Sequence, residues 1–300
     1  TGATTINKIC GSGMKAVMQA ADAIKAGSAE IVVAGGMESM SNAPYILDKA
    51  RAGYRMGHGK VTDHMFQEGL EDAETGLSMG ILAQEMADKK GYTREQQDAF
   101  AINSLNKAVA AINGGFFKAE IVPVTVSTRK GDIVVDTDEQ PLSAKPEKIP
   151  TLRPAFKKDG TITAANASSI SDGASALVIT SEQTAQARGL KPLAKVAAYA
   201  SHSQHPSEFT IAPVGAIEKA LQKAGWDAKD VDLWEVNEAF AMVTMLAIDG
   251  FNLDEAKVNV NGGACSLGHP LGSSGSRIIV TLIHALKRTG GKKGVAALCI

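Results

Sequence analysis

The sequence is poor in the features that disulfide-rich, membrane-spanning and nucleic-acid-binding proteins need. Three cysteines in 300 residues predict free thiols in a reducing compartment and no disulfide framework. No run of about 18 apolar residues occurs, so we expect no membrane-spanning helix. The formal net charge is −1 and lacks the basic excess that nucleic-acid binding requires. Aromatic residues make up only 5% of the chain, which disfavours a β-sandwich with an aromatic core.

What the chain does have is 30 glycines and enough length for about two domains. It starts at Thr1 rather than at a methionine and ends at Ile300 within a predicted strand, so we expect both ends to be cut. Free thiols and the lack of a signal peptide predict a cytoplasmic location. An organellar location stays open, because a targeting segment would lie at an end.

Strands and helices alternate along the sequence, which predicts the α/β class. Near the amino end a strand, a glycine-rich turn, a helix and a second strand predict a βαβ unit. The same plan recurs near the carboxyl end, so we expect two similar α/β halves. The predicted strands are 4–9, 30–34, 173–180, 231–236, 257–260 and 294–300, and the predicted helices between them include 14–26, 239–247 and 277–288.

The middle of the chain is more polar and carries many turn signals. A capping box at 93–96 predicts the start of a helix that ends at Gly114. That helix would bury its larger apolar residues, which are Ile102, Leu105, Val109 and Ile112. Strands at 121–126 and 133–135 flank a turn. We therefore divide the chain into 1–38 (part of an amino-terminal half), 39–166 (an inserted loop domain), 167–190 (the return to the amino-terminal half) and 191–300 (the carboxyl-terminal half).

Four side chains at strand-to-helix junctions are candidates for chemistry. Cys10 lies before a helix, whose amino end favours a thiolate and lowers the pKa of a thiol, although a small buried residue there is equally expected. His269 lies in a glycine-rich loop. Its two interpretations are a catalytic base and a histidine whose ring is hydrogen-bonded to a turn carbonyl. Asn237 is a candidate, or simply a helix N-cap. Cys299 closes the last strand, and alone it would be a core thiol, as would Cys265.

The predicted topology favours one shared site for these four candidate residues. Carboxyl ends of parallel strands share one edge of a sheet, where ligands bind. Cys10, Asn237, His269 and Cys299 all follow predicted strands, so we expect them to meet there. A cysteine with a histidine partner suits nucleophilic catalysis. The cysteine and histidine spacings match no zinc pattern, so we expect no metal.

Five segments together resemble the thiolase family. The segments lie in the family's order, span the whole chain and match its signatures around the acylated cysteine, the glycine–methionine motif and three further site motifs. They are 7–15 (NKICGSGMK), 34–41 (AGGMESMS), 237–240 (NEAF), 261–270 (NGG through GHP) and 298–300 (LCI).

The resemblance implies acetyl-CoA acetyltransferase chemistry. Cys10 would take an acetyl group from acetyl-CoA, and His269 would activate it and bind a thioester oxygen. Asn237 would hold a water in the same oxyanion hole. Cys299 would remove a proton from a second acetyl-CoA, so that acetoacetyl-CoA and free CoA form by a ping-pong route.

The resemblance also implies a fold of layered α/β/α/β/α form with central mixed sheets, a homotetramer, and no permanently bound cofactor. Coenzyme A would be substrate and product only, and neither nucleic acid nor membrane would be a partner. The expected CoA contacts are Met79, Phe156, Ser168 and Phe240. Two departures affect these expectations: Ser78 stands where relatives carry a histidine, and a family glycine that follows Ile300 lies beyond this chain.

Three alternatives remain at this stage. A ketoacyl synthase of the same superfamily would need a histidine in place of Asn237, and it would not need Cys299. A broad-range 3-ketoacyl-CoA thiolase of fatty-acid oxidation fits the same motifs, because pocket size is hard to infer from sequence. An inactive fragment or a thiolase-like lipid-binding protein would be expected to lack part of the set formed by Cys10, Asn237, His269 and Cys299.

Overall fold

The structure is a computed structural model that describes residues 2–300. Its elements alternate as the α/β class requires. The helices are α1 (Ser12–Lys25), α2 (Met79–Lys90), α3 (Arg94–Asn113), α4 (Glu139–Ser143), α5 (Glu182–Ala187), α6 (Ala212–Ala224), α7 (Ala241–Phe251), α8 (Ala264–Leu267) and α9 (Leu271–Thr289). The strands are β1 (Ile31–Ser39), β2 (Tyr45–Leu47), β3 (Val61–Asp63), β4 (Val124–Thr128), β5 (Gly131–Val135), β6 (Asp172–Thr180), β7 (Leu233–Val236) and β8 (Gly294–Ala297).

Helix α9 forms the centre of the fold and lies between two sheets. On one side are β1 and β6, which pair antiparallel, and on the other are β7 and β8, which pair parallel. Ile279 of α9 packs towards the first sheet with Val17 and Ala34, whereas Leu282 packs with Leu233 of the second. The helix therefore buries apolar side chains on both of its flanks.

A further helical layer covers the other face of β7 and β8. Helices α6 and α7 contribute Ile217, Leu221 and Ala247 to a buried cluster that also contains Trp234 and Val236. The order is thus a sheet, α1 with α9, a second sheet, and α6 with α7. This arrangement confirms the predicted α/β class and matches four of the five expected layers. Each of these two sheets has two strands, so neither is itself mixed.

Two glycines allow α9 to approach its neighbours closely. A Cβ atom at Gly13 of α1 would lie 2.7 Å from the backbone nitrogen of Ser276. A Cβ atom at Gly36 of β1 would lie 2.7 Å from the carbonyl carbon of Gly272. Ordinary contacts of a Cβ atom begin near 3.4 Å, so neither position accepts a side chain without moving the helix. Gly13 and Gly36 therefore hold α9 close to α1, which follows Cys10, and close to β1, which ends at residue 39.

Two predicted strands are wrong. Residues 2–8 form no regular element, because Asn7 Oδ1 accepts the backbone N–H of Ile9, and Ser12 Oγ accepts that of Lys8. Such local bonds compete with strand pairing. Residues 257–260 make only a single bridge, between Val258 and Trp234, before Asn259 turns the chain at φ 45°. The predicted amino-terminal βαβ unit is therefore wrong as well.

The middle of the chain confirms some predictions and corrects others. The capping box at Thr93 is present, and β4 and β5 form an antiparallel hairpin that overlaps the predicted strands 121–126 and 133–135, with ends that differ by up to three residues. Helix α3, however, buries small side chains together with Leu105, whereas the larger Ile102, Val109 and Ile112 are only half-buried. Strand β6 has one exposed face and is not the buried strand that the sequence predicts. Within residues 2–300, no helix is long and apolar enough to cross a membrane.

Candidate active site

Cys10 lies in a single 3₁₀ turn, Ile9–Gly11, directly before α1. Ile9 has a φ of 47°, a left-handed conformation that is rare for a β-branched residue. Such backbone strain clusters at functional sites. The Cys10 side chain is buried in a small apolar cluster with Met40 and Leu271. The strained residue thus turns the thiol inward, towards the start of α9.

Burial dominates the chemistry of this thiol. Loss of hydration is the main reason that the pKa of Cys10 rises to about 12. Hydrogen bonding at its own backbone lowers the pKa by less than burial raises it, and the carboxylate of Glu38 makes a smaller contribution that raises it. The expectation that the helix start would lower the pKa of Cys10 is therefore wrong, because desolvation outweighs the local dipoles. The resting form is a neutral thiol that needs a base at the moment of reaction.

His269 is buried at the entrance to α9, with its ring bonded at both nitrogens. Its Nδ1 lies 2.6 Å from Ser274 Oγ, and its backbone N–H donates to Ser171 Oγ at 3.2 Å. Burial lowers the pKa of His269 to about 3, and the positive charge of Arg277 contributes. The imidazole is therefore neutral at physiological pH and keeps one nitrogen able to accept a proton.

Asn237 follows β7 and points its side chain at His269. Its backbone N–H donates to the carbonyl of Ala297 on β8 at 2.9 Å. Its Nδ2 lies 3.4 Å from His269 Nε2, and its Oδ1 is buried without a hydrogen-bond partner among the residues 2–300. Phe240, not Asn237, caps α7, so the alternative interpretation of Asn237 as an N-cap is wrong. A buried unpaired acceptor is costly unless a ligand or water supplies a proton.

Cys299 follows β8 and is also buried. Desolvation raises the pKa of Cys299 strongly, and a deprotonated Cys10 would raise it further. Leu298, the neighbour of Cys299, packs in the same apolar cluster as Cys10, so the two thiols lie in one region. Because β7 and β8 are parallel, Asn237 and Cys299 leave the sheet at one edge, as the topology predicts. Cys10 and His269 are positioned differently. Each precedes a helix, α1 or α9, but neither follows a strand directly.

The four expected CoA contacts lie close to one another. The rings of Phe156 and Phe240 meet edge to face, with centroids 6.1 Å apart. Ser168 donates its backbone N–H to the carbonyl of Ala239, next to Phe240. Met79 packs against the buried cluster that contains both Phe240 and Cys299. The geometry thus joins these residues to one of the two thiols, although it does not itself identify a ligand.

Glu238 belongs to the motif at 237–240, but the sequence does not predict its role as a buried carboxylate that links several segments. Glu238 accepts hydrogen bonds from Ser104 Oγ at 2.7 Å, from Asn259 Nδ2 at 2.8 Å and from the backbone N–H of Cys265 at 3.1 Å. These bonds tie β7 to α3 and to the loop that carries His269. The dipeptide that follows a strand signalled a polar junction, but the distant partners of Glu238 had no signature in the sequence.

The site contains two buried thiols, a neutral imidazole and an amide whose oxygen has no partner among the described residues. An enzyme with a cysteine nucleophile uses groups of these kinds. The apolar surroundings strengthen every hydrogen bond to a developing charge. Within the part of the chain that the structure describes, no group of three or more His, Cys, Asp or Glu side chains is arranged to hold a metal ion. The candidate site therefore has the groups expected of an enzyme that transfers a chemical group by way of a thiol.

Comparisons with known families and structures place the chain within this class. The thiolase amino-terminal domain family matches residues 1–183, and the thiolase carboxyl-terminal domain family matches residues 190–300. The chain belongs to the thiolase family, and the predicted resemblance is confirmed.

Individual relatives agree. An acetyl-CoA acetyltransferase of Escherichia coli (strain K12) is 53% identical over 298 residues, which cover 99% of this chain and 76% of the relative. The structure of acetyl-CoA acetyltransferase from Syntrophomonas wolfei matches with a TM-score of 0.96 and 43% identity, and the match covers 100% of this chain and 77% of that one. A thiolase from Ascaris suum, Acat5, solved in complex with coenzyme A, matches with a TM-score of 0.91 and 46% identity over 98% of this chain and 75% of that one. These likenesses confirm the expected thiolase fold.

Proposed function

We propose that this protein is an acetyl-CoA C-acetyltransferase. It condenses two acetyl-CoA molecules to acetoacetyl-CoA and free CoA, and it catalyses thiolysis in reverse. The observation that carries the proposal is the buried pair of Asn237 and His269, together with the buried thiols of Cys10 and Cys299, in a chain of the thiolase family. The similarity to acetyl-CoA acetyltransferases, including 53% identity to that of Escherichia coli, supports the choice of substrate.

The first half-reaction transfers the acetyl group to Cys10. His269 Nε2 takes the thiol proton as the sulfur attacks the thioester carbon, which avoids forming a free thiolate in an apolar site. The bond between the acetyl carbon and the sulfur of CoA breaks, and CoA leaves as a thiol with the proton that His269 took from Cys10. A water held by Asn237 Oδ1, with the imidazole, stabilises the oxyanion. The unpaired, buried Oδ1 supports this role.

The second half-reaction forms the carbon–carbon bond. Cys299 first gives its own proton to His269, because its raised pKa keeps it a neutral thiol at rest. The resulting thiolate removes a proton from the methyl group of a second acetyl-CoA, and the carbanion attacks the acetyl carbon on Cys10. The bond between that carbon and the Cys10 sulfur breaks, acetoacetyl-CoA leaves, and His269 returns its proton to the Cys10 sulfur. The packing of Leu298, next to Cys299, in the same apolar cluster as Cys10 supports a reaction between groups held on the two thiols.

Coenzyme A is substrate and product in this scheme, and Phe156, Ser168, Met79 and Phe240 are its proposed contacts. Residues 39–166 as an inserted loop domain, assembly as a homotetramer and a cytoplasmic location stay predictions from the sequence. A broad-range 3-ketoacyl-CoA thiolase stays the second candidate from sequence. The ratio of thiolysis rates for acetoacetyl-CoA and for a long-chain 3-ketoacyl-CoA decides between the two.

Isotope exchange separates the two half-reactions. With labelled CoA and unlabelled acetyl-CoA, the variant Cys299→Ala is expected to exchange label at the parental rate but to form no acetoacetyl-CoA. Cys265→Ala removes a buried thiol outside the proposed mechanism and serves as the matched control, with both reactions retained. Loss of exchange in a folded Cys299→Ala variant, or condensation without Cys299, would contradict the assignment.

A further inference from the structure

The hydrogen bonds around the His269 ring form a chain that links Asn237, His269, Ser274 and the carbonyl of Pro270. Ser274 Oγ lies 2.6 Å from His269 Nδ1 and 3.1 Å from the carbonyl oxygen of Pro270. On the other side of the ring, Asn237 Nδ2 lies 3.4 Å from His269 Nε2. Ser274, His269 and Asn237 are all buried, so bulk water does not compete for these groups.

The donors and acceptors in this chain can be assigned from its two ends. A carbonyl oxygen only accepts, so the single hydroxyl proton of Ser274 points at Pro270. The Ser274 oxygen must then accept, which places the imidazole proton on Nδ1. Nε2 is left with a lone pair, and it accepts from the amide group of Asn237. All three contacts are hydrogen bonds only in this arrangement.

The opposite assignment fails at both ends. If Ser274 donated to Nδ1, its oxygen would face the Pro270 carbonyl lone pair against lone pair. His269 would then carry its proton on Nε2, which would meet the Asn237 amide donor to donor. Two of three buried contacts would be repulsive, and unpaired buried groups are costly.

We propose that Ser274 is a positioning residue that fixes the tautomer of His269, with the proton on Nδ1. The inference rests on the proposed function, since it explains how Nε2 is kept without a proton and so can take the proton of Cys10. Ser274 itself touches no reacting atom. Without its hydroxyl, Nδ1–H has no partner in a buried site, and the tautomer with the proton on Nε2 becomes competitive. That tautomer cannot act as a base at Nε2.

Ser274→Ala tests the kinetic consequence, and Ser276→Ala is its control. Ser276 is a buried serine on the same helix, but its hydroxyl donates to the carbonyl of Ser273 and does not reach His269. We expect Ser274→Ala to slow acetylation of Cys10 by roughly 10- to 100-fold, because a buried donor loses its partner. Ser276→Ala should acetylate at nearly the parental rate. A parental rate in folded Ser274→Ala would overturn the proposal.

Nitrogen NMR of ¹⁵N-histidine-labelled protein tests the tautomer directly, without any variant of Ser274. The chain has six histidines, and His269→Gln identifies the resonances of His269. We expect the parent protein to carry the proton on Nδ1 from neutral pH downwards to the acid limit of folding. A proton on Nε2 in the parent would refute the inference. Absence of Cys10 acetylation in the parent, with the proton on Nδ1, would instead refute the proposed function.

Discussion

Replacement of Gly36 by alanine probes how tightly the candidate site depends on the packing of β1 against α9. The new Cβ would lie 2.7 Å from the carbonyl carbon of Gly272 and 3.1 Å from the Cα of Ser273, whereas ordinary contacts begin near 3.4 Å. The carbonyl oxygen of Gly272 lies nearer still, so the first turn of α9 must retreat by more than about 1 Å, since all three neighbours are backbone atoms and cannot rotate away. His269 directly precedes that turn and must move with it.

The magnitudes follow from overpacking and from misplacement of a catalytic group. Overpacking typically lowers the free energy of unfolding by about 1–3 kcal/mol. A displacement of about 1 Å in the reacting geometry costs on the order of 100-fold in rate. We expect Gly36→Ala to lower kcat/KM for acetoacetyl-CoA thiolysis by roughly 10- to 100-fold, together with a loss of stability in the range above.

The assay combines thiolysis kinetics with urea unfolding. Gly2→Ala is the control, because a Cβ there meets nothing within 4 Å. It should match the parent in both measurements. If Gly36→Ala kept the parental kcat/KM and the parental unfolding midpoint, the close approach of β1 and α9 would not be what positions His269.

Two further predictions concern a buried carboxyl and an aromatic side chain. Burial raises the pKa of Glu235 from 4.5 to about 8, so the folded state binds its proton more tightly than the unfolded state. Its contribution to stability is present below pH 4.5 and is lost as the pH rises through about 8, and urea unfolding of Glu235→Gln should lack this loss, which is on the order of a few kcal/mol. Equal pH slopes for the two proteins would show that Glu235 does not titrate as described. Phe156→Ala should raise the KM for CoA by roughly 10-fold through loss of ring contact area, with little change in Tm. The equally exposed Phe116 supplies the control variant, and an unchanged KM in Phe156→Ala would remove Phe156 from the CoA site.

Several elements were predictable because their local signals agree with their tertiary environment. The capping box at Thr93 begins α3, and β7 and α7 are consecutive apolar runs that the structure buries. The buried face of α3 was not predictable from apolar size. Ala101 and Ser104 of this helix contact Cys265 and Ser266 of α8. Three of the four larger apolar residues are therefore only half-buried.

The elements around Cys10 were predicted less well. The run of β-branched residues before Cys10 favours a strand by propensity, but side chains of Asn7 and Ser12 bond the backbone locally instead. The pKa of Cys10 was predicted in the wrong direction, since the sequence indicates a helix start but not the Met40 and Leu271 side chains that exclude water. The family motifs named Asn237 and His269, whereas their direct contact depends on how α9 meets β7.

Intact-protein mass after brief exposure to acetyl-CoA tests the central claim most directly, because the account requires an acetyl group on Cys10. We predict one added acetyl group on the parent protein and none on Cys10→Ala. Free CoA should remove that group from the parent again, since the first half-reaction is reversible. Circular dichroism of both proteins establishes that they are folded. A folded parent protein that gains no acetyl group, or a Cys10→Ala variant that gains one, would contradict the account.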